Sequence, residues 1–505
     1  MIRGSLAQLL PALDGARMTA DAAFEGVSTD SRKAAPGALF VALRGESFDA
    51  HDFLDRITAT GVAAVVAERL PQGFTLPAIV VPDTLAALGR IGNAWRSRFA
   101  IPVIGVTGSN GKTTVKEMIA AILAAAVGED ARLATQGNLN NEIGVPLTVM
   151  RLHDGHRAAV VELGMNHPGE IARLAAIAAP TVALVNNAQR EHQEFMHTVE
   201  AVARENGAVL AALADDGVVV FPGDDEYTGL WRGLAGEREV LTFGLSEACD
   251  VRASYTPNNF GSELTITASS PRRRGPMLSM QQLHSLREGE VSLGPRLRGD
   301  DVVADVAERE AARDADGVMH FTIRLSAAGT HNVRNALAAC ACALAAGIPV
   351  AAIVRGLEAF APVNGRLQRK HTAHGAALID DTYNANPDSV RAAIDVLAQA
   401  AAPRILVLGD MGEVGTQGPE FHREIGEYAA ARGIDAVLVT GALARHMTGT
   451  GAQHYEQFDD LLAALDKQLG SKSDATVLVK GSRFMKMERV VQHLTTPHEH
   501  RKDSH

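Results

Sequence analysis

Cysteine is nearly missing from this chain: three residues in 505, Cys249, Cys340 and Cys342. Three thiols make a poor disulfide framework. Two of them lie in the alanine-rich run "NALAACACALAAG", where small buried helix positions are expected rather than metal ligands. A reducing cytoplasm is the expected setting. Long apolar runs are also lacking. No stretch approaches the roughly 20 residues that a membrane span needs, so none is expected. The opening "MIRGSLAQLLPALDGARM" has no full apolar core with a small-residue cleavage site after it, which argues against a secretory signal. Basic residues are outnumbered, 48 Lys and Arg against 59 Asp and Glu, for a net charge of -11. That balance argues against a general nucleic-acid binder, but not against a phosphate pocket, because a few local cations and backbone amides suffice for one.

What is present suits a globular protein, with 46% hydrophobic and 21% charged residues. The length predicts two to four domains. Between Val27 and Pro82, short apolar strands ("ALFVAL", "AAVVAE", "PAIVVP") alternate with turns and a helical segment near Asp52 to Thr60, a small α/β unit. A helix, "TLAALGRIGNAWRSRF", then leads into a strand over Ile101 to Thr107, followed by "AAVVELG", "VALVNNA" and "GVVVFPG". Strands alternating with helices predict a parallel sheet. A second such run holds "AALIDDTYN", "RILVLGD", "AVLVTG" and "TVLVKG". The expected fold class is α/β with three domains, over 1–99, 100–362 and 363–495, and a disordered tail over 496–505. Ser269 to Asp301 is rich in Pro, Gly and Arg and has no period, so a disordered insertion is expected there. The flanking "SELTITA" and "MHFTIRL" read as neighbouring strands.

The stretch "VIGVTGSNGKTTVKEM" carries the chemistry. A β-branched strand breaks at Gly108, and Lys112 and Thr113 open a helix. Gly108 and Gly111 permit close backbone approach, so the amides of Ser109 to Thr114 are expected to face phosphate oxygens. Lys112 suits the β- and γ-phosphates, and the Thr113 hydroxyl suits Mg²⁺. The spacing is T-G-x-x-G-K-T-T from Thr107, since Val106 stands where the general phosphate-loop pattern has its first glycine. ATP is the expected ligand. The reaction stays open at this point, because motors, kinases, switches and ligases share such loops.

Nine ordered segments narrow it: "TGSNGKTTVKEM", "GNLNNEIGVP", "VVELGMNHPGEI", "VNNAQREH", "GTHNVRNALAA", "NGRL", "IDDTYNANPDSV", "LGDMGEVG" and "VKGSRFMKME". Together they resemble the Mur ligases over about Val27 to Val491. The resemblance implies an uridine-nucleotide domain, a central ATPase-type domain and a Rossmann-like C-terminal domain. It also implies ATP-dependent activation of a muropeptide carboxylate as an acyl phosphate, followed by amine attack. "TTVKEM", "ELGMNHPGEI", "DDTYNANPDS" and "LGDMGEVG" are similar to the branch that joins D-Ala-D-Ala to UDP-MurNAc-tripeptide. By that match Lys112, Glu162 and His192 are catalytic, with Thr113, Glu162 and His192 holding one or two Mg²⁺. The ATP set is Thr107, Gly108, Ser109, Asn110, Gly111, Lys112, Thr113, Thr114, Asn332, Arg366 and Asp381. The substrate set is Ser31, Arg32, Asn138, Asn140, Asn141, Asn384, Asn386 and Arg483. A monomer is expected, with the site complete only on domain closure.

One position departs from the resemblance. Many members carry a lysine, modified to a carbamate, in a segment similar to "VAKAKGE"; here "VEAVARENGAVL" puts Asn206 at that place. A carbamoylated lysine is therefore not expected, and the second metal site is expected to be built differently, with water and Glu205 as candidates. Two other readings compete: a sister ligase adding one diamino acid, whose Asp-Asn-Pro-Arg run is missing, and a catalytically retired ATP-binding module.

Overall fold

The computed structural model describes residues 1–45, 48–258, 260–269, 312–314, 317–470 and 473–496. The expected insertion, beyond Ser269 itself, and the expected tail after Thr496 lie outside the described residues. Three main sheets organise the chain, together with a two-stranded pairing of Arg3–Ser5 with Ala23–Glu25.

The first sheet has five strands, in the order Arg17–Met18, Ala78–Val80, Ala64–Ala67, Leu39–Val41 and Val27–Ser28. All neighbours are parallel except the first pair. Leu39–Val41 and Ala64–Ala67 are buried at every position, as expected of strands covered on both faces.

The central sheet has ten strands. Its parallel part runs from Arg132–Ala134 through Ala158–Glu162, Val103–Thr107, Val182–Val185, Val218–Pro222 and Glu239–Gly244 to Val251–Asn258. An antiparallel edge follows, in which Gly261–Ala268 pairs with Met319–Leu325 from Ser262↔Leu325 to Ala268↔Met319. The two strands flanking the Ser269 to Asp301 segment are thus neighbours, as their alternation predicts.

The third sheet has six strands, ordered Gln368–His371, Ala377–Asp381, Thr476–Lys480, Arg404–Leu408, Ala436–Thr440 and Gln453–Tyr455. Only the first of these runs antiparallel to its neighbour. Among the described residues no helix is long and apolar enough to cross a membrane.

Strand order places the chemistry. Val103–Thr107 lies between Ala158–Glu162 and Val182–Val185, so the chain crosses to one side after the first strand and to the other later. Ligands of open α/β sheets sit at such a reversal, outside the carboxyl ends of the strands. The loop after Thr107 is therefore flanked by Glu162 on one side and by Asn186 and Asn187 on the other.

The helix that follows this loop, Lys112–Val127, is wedged under two others. In Thr330–Ala345 nearly every side chain from Asn332 onward is buried, and the run of Ala and Cys lets it pack closely. In Val350–Ala359, Gly356 comes so near that a Cβ would stand 2.4 Å from the Ile122 Cα. Cys340 and Cys342 are core residues, and burial pushes both thiols far above their ordinary range. A rigid floor under the loop results.

Candidate functional site

A cleft of about 820 Å³ opens between the carboxyl ends of the central and third sheets. Its base is the loop after Val103–Thr107, a strand buried at all five positions. Gly108 has φ +128° and Gly111 φ +80°. A Cβ on Gly111 would stand 2.5 Å from Asn335 Oδ1 and 2.8 Å from Asn186 Nδ2, so both backbone conformation and space require glycine there.

The loop's amides divide into two sets. Gly108 N donates to Asn206 Oδ1 (2.9 Å), Ser109 N to the Asn187 carbonyl (3.1 Å) and Asn110 N to Asn187 Oδ1 (2.9 Å). The amides of Ser109 and Asn110, expected to face phosphate, are instead spent on holding the loop to the neighbouring strand's end. Those of Gly111 to Thr114 open the helix and have no intrahelical acceptor, so the anion-binding set is narrower than the sequence predicts. Lys112 Nζ donates to the carbonyls of Gly108 and Ser109 and to Glu191 Oε2 at 3.2 Å.

Glu162 ends its strand 2% exposed. Its Oε1 accepts from Thr113 Oγ1 (3.2 Å) and Asn140 Nδ2 (2.9 Å), whereas its Oε2 is buried with no hydrogen-bond partner. A hydroxyl and a free carboxylate oxygen side by side are the hard donors that Mg²⁺ takes. Of the three expected ligands, Thr113 and Glu162 are therefore together. His192 lines the same cleft, with Nδ1 2.6 Å from Glu413 Oε2 and Nε2 3.9 Å from Glu191 Oε2. Among the described residues no three His, Cys, Asp or Glu side chains converge on one point. His192 (φ +47°) and Glu413 (φ +58°) both hold left-handed backbone, strain that clusters where function fixes geometry. Glu205, weighed as a substitute near the second metal, is engaged otherwise. Its carboxylate accepts from the amides of Gly169 (2.8 Å) and Ile171 (2.9 Å) at the start of Glu170–Ala178.

Asparagine amides form the next wall. Asn186 Nδ2 donates to Asn335 Oδ1 (3.0 Å), and Asn335 Nδ2 to Asn332 Oδ1 (3.1 Å). Asn332 Nδ2 in turn reaches the Ala328 carbonyl at 2.8 Å. Asn332 is thus on the cleft wall in the first turn of Thr330–Ala345. Beyond it Arg334 grips Asp224 with two hydrogen bonds of 2.7 and 2.9 Å.

The third sheet supplies the opposite wall. Arg366 Nη2 donates to Thr113 Oγ1 at 2.8 Å while its guanidinium lies 4.1 Å from the centre of the Tyr383 ring. Asp381 accepts from the Leu367 amide (3.1 Å) and from Lys480 Nζ (2.6 Å), with Lys480 3% exposed. Burial pushes the Asp381 carboxyl above its ordinary value, against the pull of Lys480. Removing either partner would leave a buried charge unpaired. Burial beside the same Lys480 drives His331 down to about 4, so that imidazole is neutral at working pH. Asn386 caps Pro387–Ala398 and exchanges side-chain hydrogen bonds with Asn110. Asn138, Asn140, Asn141, Asn384 and Arg483 line the same cleft.

Ser31 and Arg32 are the exceptions. They lie outside the cleft, and Arg32 is paired with Asp30 at 2.9 Å, which holds that carboxyl at about 2. Several residues went unassigned in the sequence. Arg190 bonds Asp388 and Glu424 of the opposite wall, Glu191 faces Lys112, and Glu413 meets His192. Their one sequence signal is adjacency to His192 and to the "LGDMGEVG" turn.

Comparison with known proteins agrees along the chain. Residues 23–96 match the model of the Mur ligase family catalytic domain, 106–282 the Mur ligase middle domain, and 365–483 the Mur ligase glutamate ligase domain. A UDP-N-acetylmuramoyl-tripeptide--D-alanyl-D-alanine ligase of Escherichia coli is 37% identical over 98% of this chain and 99% of its own length. The Bacillus subtilis enzyme of the same name is 32% identical over 93% of each. The crystal structure of MurF from Acinetobacter baumannii superposes with a TM-score of 0.83 at 31% identity, covering 98% of this chain and 99% of the other. A Thermotoga maritima MurF solved in complex with ADP shares the fold, with a TM-score of 0.75 at 24% identity over 93% of this chain and 97% of that one.

Proposed function

The chain belongs to the Mur ligase family, and from that premise we infer that the cleft joins D-Ala-D-Ala to UDP-MurNAc-tripeptide at the expense of ATP, a step of peptidoglycan precursor assembly. The observation that carries this reading is the hydrogen bond from Arg366 to Thr113 Oγ1. It brings a cation of the third sheet onto the phosphate loop of the central one, so that two walls serve one phosphoryl group.

The amides of Gly111 to Thr114 and the Lys112 ammonium take the β- and γ-phosphates. Arg366, already at the loop, faces the charge that spreads over the γ-phosphoryl oxygens during transfer. A carboxylate oxygen of the tripeptide attacks the γ-phosphorus and ADP leaves, giving an acyl phosphate. The amine of D-Ala-D-Ala then attacks the acyl carbon, loses a proton, and expels inorganic phosphate. Thr113 Oγ1 and the free Glu162 Oε2 fit Mg²⁺, which when bound offsets the repulsion between carboxylate and γ-phosphate. Asn138, Asn140 and Asn141 on one wall, with Asn384, Asn386 and Arg483 on the other, orient the two substrates. Asn332 and the Asp224–Arg334 pair bound the nucleotide's far end. Ser31 and Arg32 hold the uridine diphosphate away from the reacting groups, an Arg beside a hydroxyl being suited to a diphosphate.

The test is release of phosphate from ATP with UDP-MurNAc-tripeptide, with and without D-Ala-D-Ala. Release that requires the dipeptide is the expected result. Release driven by a single diamino acid would favour the sister ligase, and nucleotide binding without turnover would refute a catalytic role.

A further inference from the structure

Lys116 lies one helical turn beyond Lys112 on Lys112–Val127 and is 0% exposed. A lysine is almost never buried this fully unless its ammonium is paired. Phosphate binding does not use it, since the cleft is lined by Lys112, Thr113 and Thr114 but not by Lys116. Its Nζ donates to the Thr135 carbonyl at 3.0 Å and is paired with Glu117. Thr135, just past the strand Arg132–Ala134, is 2% exposed and grips the next strand twice. Its amide donates to the Val160 carbonyl (3.2 Å), and its Oγ1 accepts from the Glu162 amide (2.9 Å). From there the chain passes through residues 136–139, all exposed, to Asn140 and Asn141. Asn140 Nδ2 donates to Glu162 Oε1, and its carbonyl accepts from the Gly164 amide (2.8 Å). One buried ammonium thus joins the helix of the phosphate loop, the strand end that carries Glu162 and the loop of substrate-wall asparagines.

We propose that Lys116 is a positioning residue for the activation step, setting the loop of Asn138, Asn140 and Asn141, and with it the tripeptide carboxylate, in register with the phosphate loop. The inference rests on the reading of the cleft as the site where ATP activates the tripeptide. Carboxylate oxygen and γ-phosphorus must be brought to about 3–3.5 Å before they react. The helix Lys112–Val127 fixes one of them and the asparagine loop the other. Glu162 Oε1 bridges the two from the cleft side, accepting from both Thr113 and Asn140. Lys116 bridges them from behind, where neither substrate nor solvent competes for its hydrogen bonds. The helix itself does not depend on that ammonium, because Val115, Met118, Ile119 and Ile122 seat it in the core.

The test is Lys116→Met in the full chain, which keeps the bulk of the stem and removes the donor. Glu117, its side chain 36% exposed, stays in contact with water, so no buried charge is stranded. ATP affinity and stoichiometry, measured by calorimetry without tripeptide, should be unchanged. The kcat/KM for UDP-MurNAc-tripeptide should fall at least roughly tenfold, since a misplacement of about 1 Å caused far from the chemistry can cost on the order of a hundredfold. Adding Lys116→Met to Asn140→Ala should change little beyond Asn140→Ala alone, because both act through one loop. Lys116→Gln, which keeps a donor toward the Thr135 carbonyl, should recover part of the loss and guards against a folding defect in the Met variant. Unchanged kcat/KM in Lys116→Met would overturn the proposal while leaving the reading of the cleft in place. So would effects that add fully to those of Asn140→Ala, or ATP binding lost in step with turnover, the mark of a merely structural role. A wild type without dipeptide-dependent phosphate release would remove that reading and the proposal with it.

Discussion

Replacing Arg190 by alanine should open the cleft without unfolding either wall. Arg190 follows the central strand Val182–Val185, yet its guanidinium reaches across to Asp388 (2.7 and 3.1 Å) and Glu424 (2.8 and 3.2 Å) of the opposite wall. It also lies 5.3 Å from the centre of the Phe421 ring. Side-chain exposures of 23%, 23% and 31% limit solvent screening. Charge-assisted hydrogen bonds contribute about 1.5–3 kcal/mol each. Part of this survives the substitution, since the Arg190 amide still reaches Asp388 and Arg391 still reaches Glu424. A net loss of roughly 2–3 kcal/mol remains, which shifts the balance of closed and open arrangements about 30- to 140-fold. Small-angle scattering should show a larger radius of gyration, and dipeptide-dependent phosphate release should slow. Arg190→Lys should recover little, because one ammonium cannot serve both carboxylates in a fork. The pH dependence has a definite sign. Arg190 first, then Arg391, hold the Glu424 carboxyl below its ordinary value. The clamp is therefore fully present above the usual glutamate value of about 4.3 and is lost only as pH falls through the lowered one. In Arg190→Ala that acid transition should move upward. Unchanged scattering and turnover in Arg190→Ala would refute the reasoning.

Gly111→Ala should cost about 1–2 kcal/mol in left-handed strain alone, and the added Cβ would collide with Asn335 Oδ1. ATP affinity, measured by calorimetry, should fall at least roughly tenfold, and an unchanged affinity would contradict the packing described for the amide chain. If Asn206 stands where the family resemblance implies a carbamoylated lysine, phosphate release should be the same in bicarbonate-depleted buffer as in air-equilibrated buffer. Restoration of a lost rate by added bicarbonate would show that a carbamate forms on some other lysine.

The phosphate loop was legible because its signal is local. A β-branched strand, two glycines and a Lys-Thr pair within one short run fix both backbone and chemistry. The parallel strands were legible for a related reason, since burial on both faces leaves continuous apolar runs such as "AAVVE" and "VALV". Pairings across the cleft leave no such trace. Asn110 and Asn386 are 276 residues apart, and Thr113 and Arg366 are 253 apart. The resemblance to a family supplied those two walls, whereas the residue types alone read as turns and caps. Glu191 shows the limit most clearly. It stood inside a quoted motif beside His192, but an exposed capping glutamate and a buried one with a bare oxygen are spelled alike. Its ion-pair partner Lys112 comes from the helix after the phosphate loop, 79 residues earlier.

Three consecutive residues then explain why one loop answers to both walls. Arg190 holds Asp388 and Glu424, Glu191 holds Lys112, and His192 holds Glu413. The first and third partners belong to the far wall, the second to the phosphate loop. Phosphate that draws Lys112 from Glu191 acts on a segment pinned at both ends to the opposite sheet, so nucleotide binding cannot rearrange the loop without straining or tightening the closure. Conversely, opening the cleft breaks the Arg190 and His192 contacts and frees the segment that carries Glu191. Loop order and domain closure are thus two ends of one coupling, which requires that a change in either be felt at the other by the same free energy.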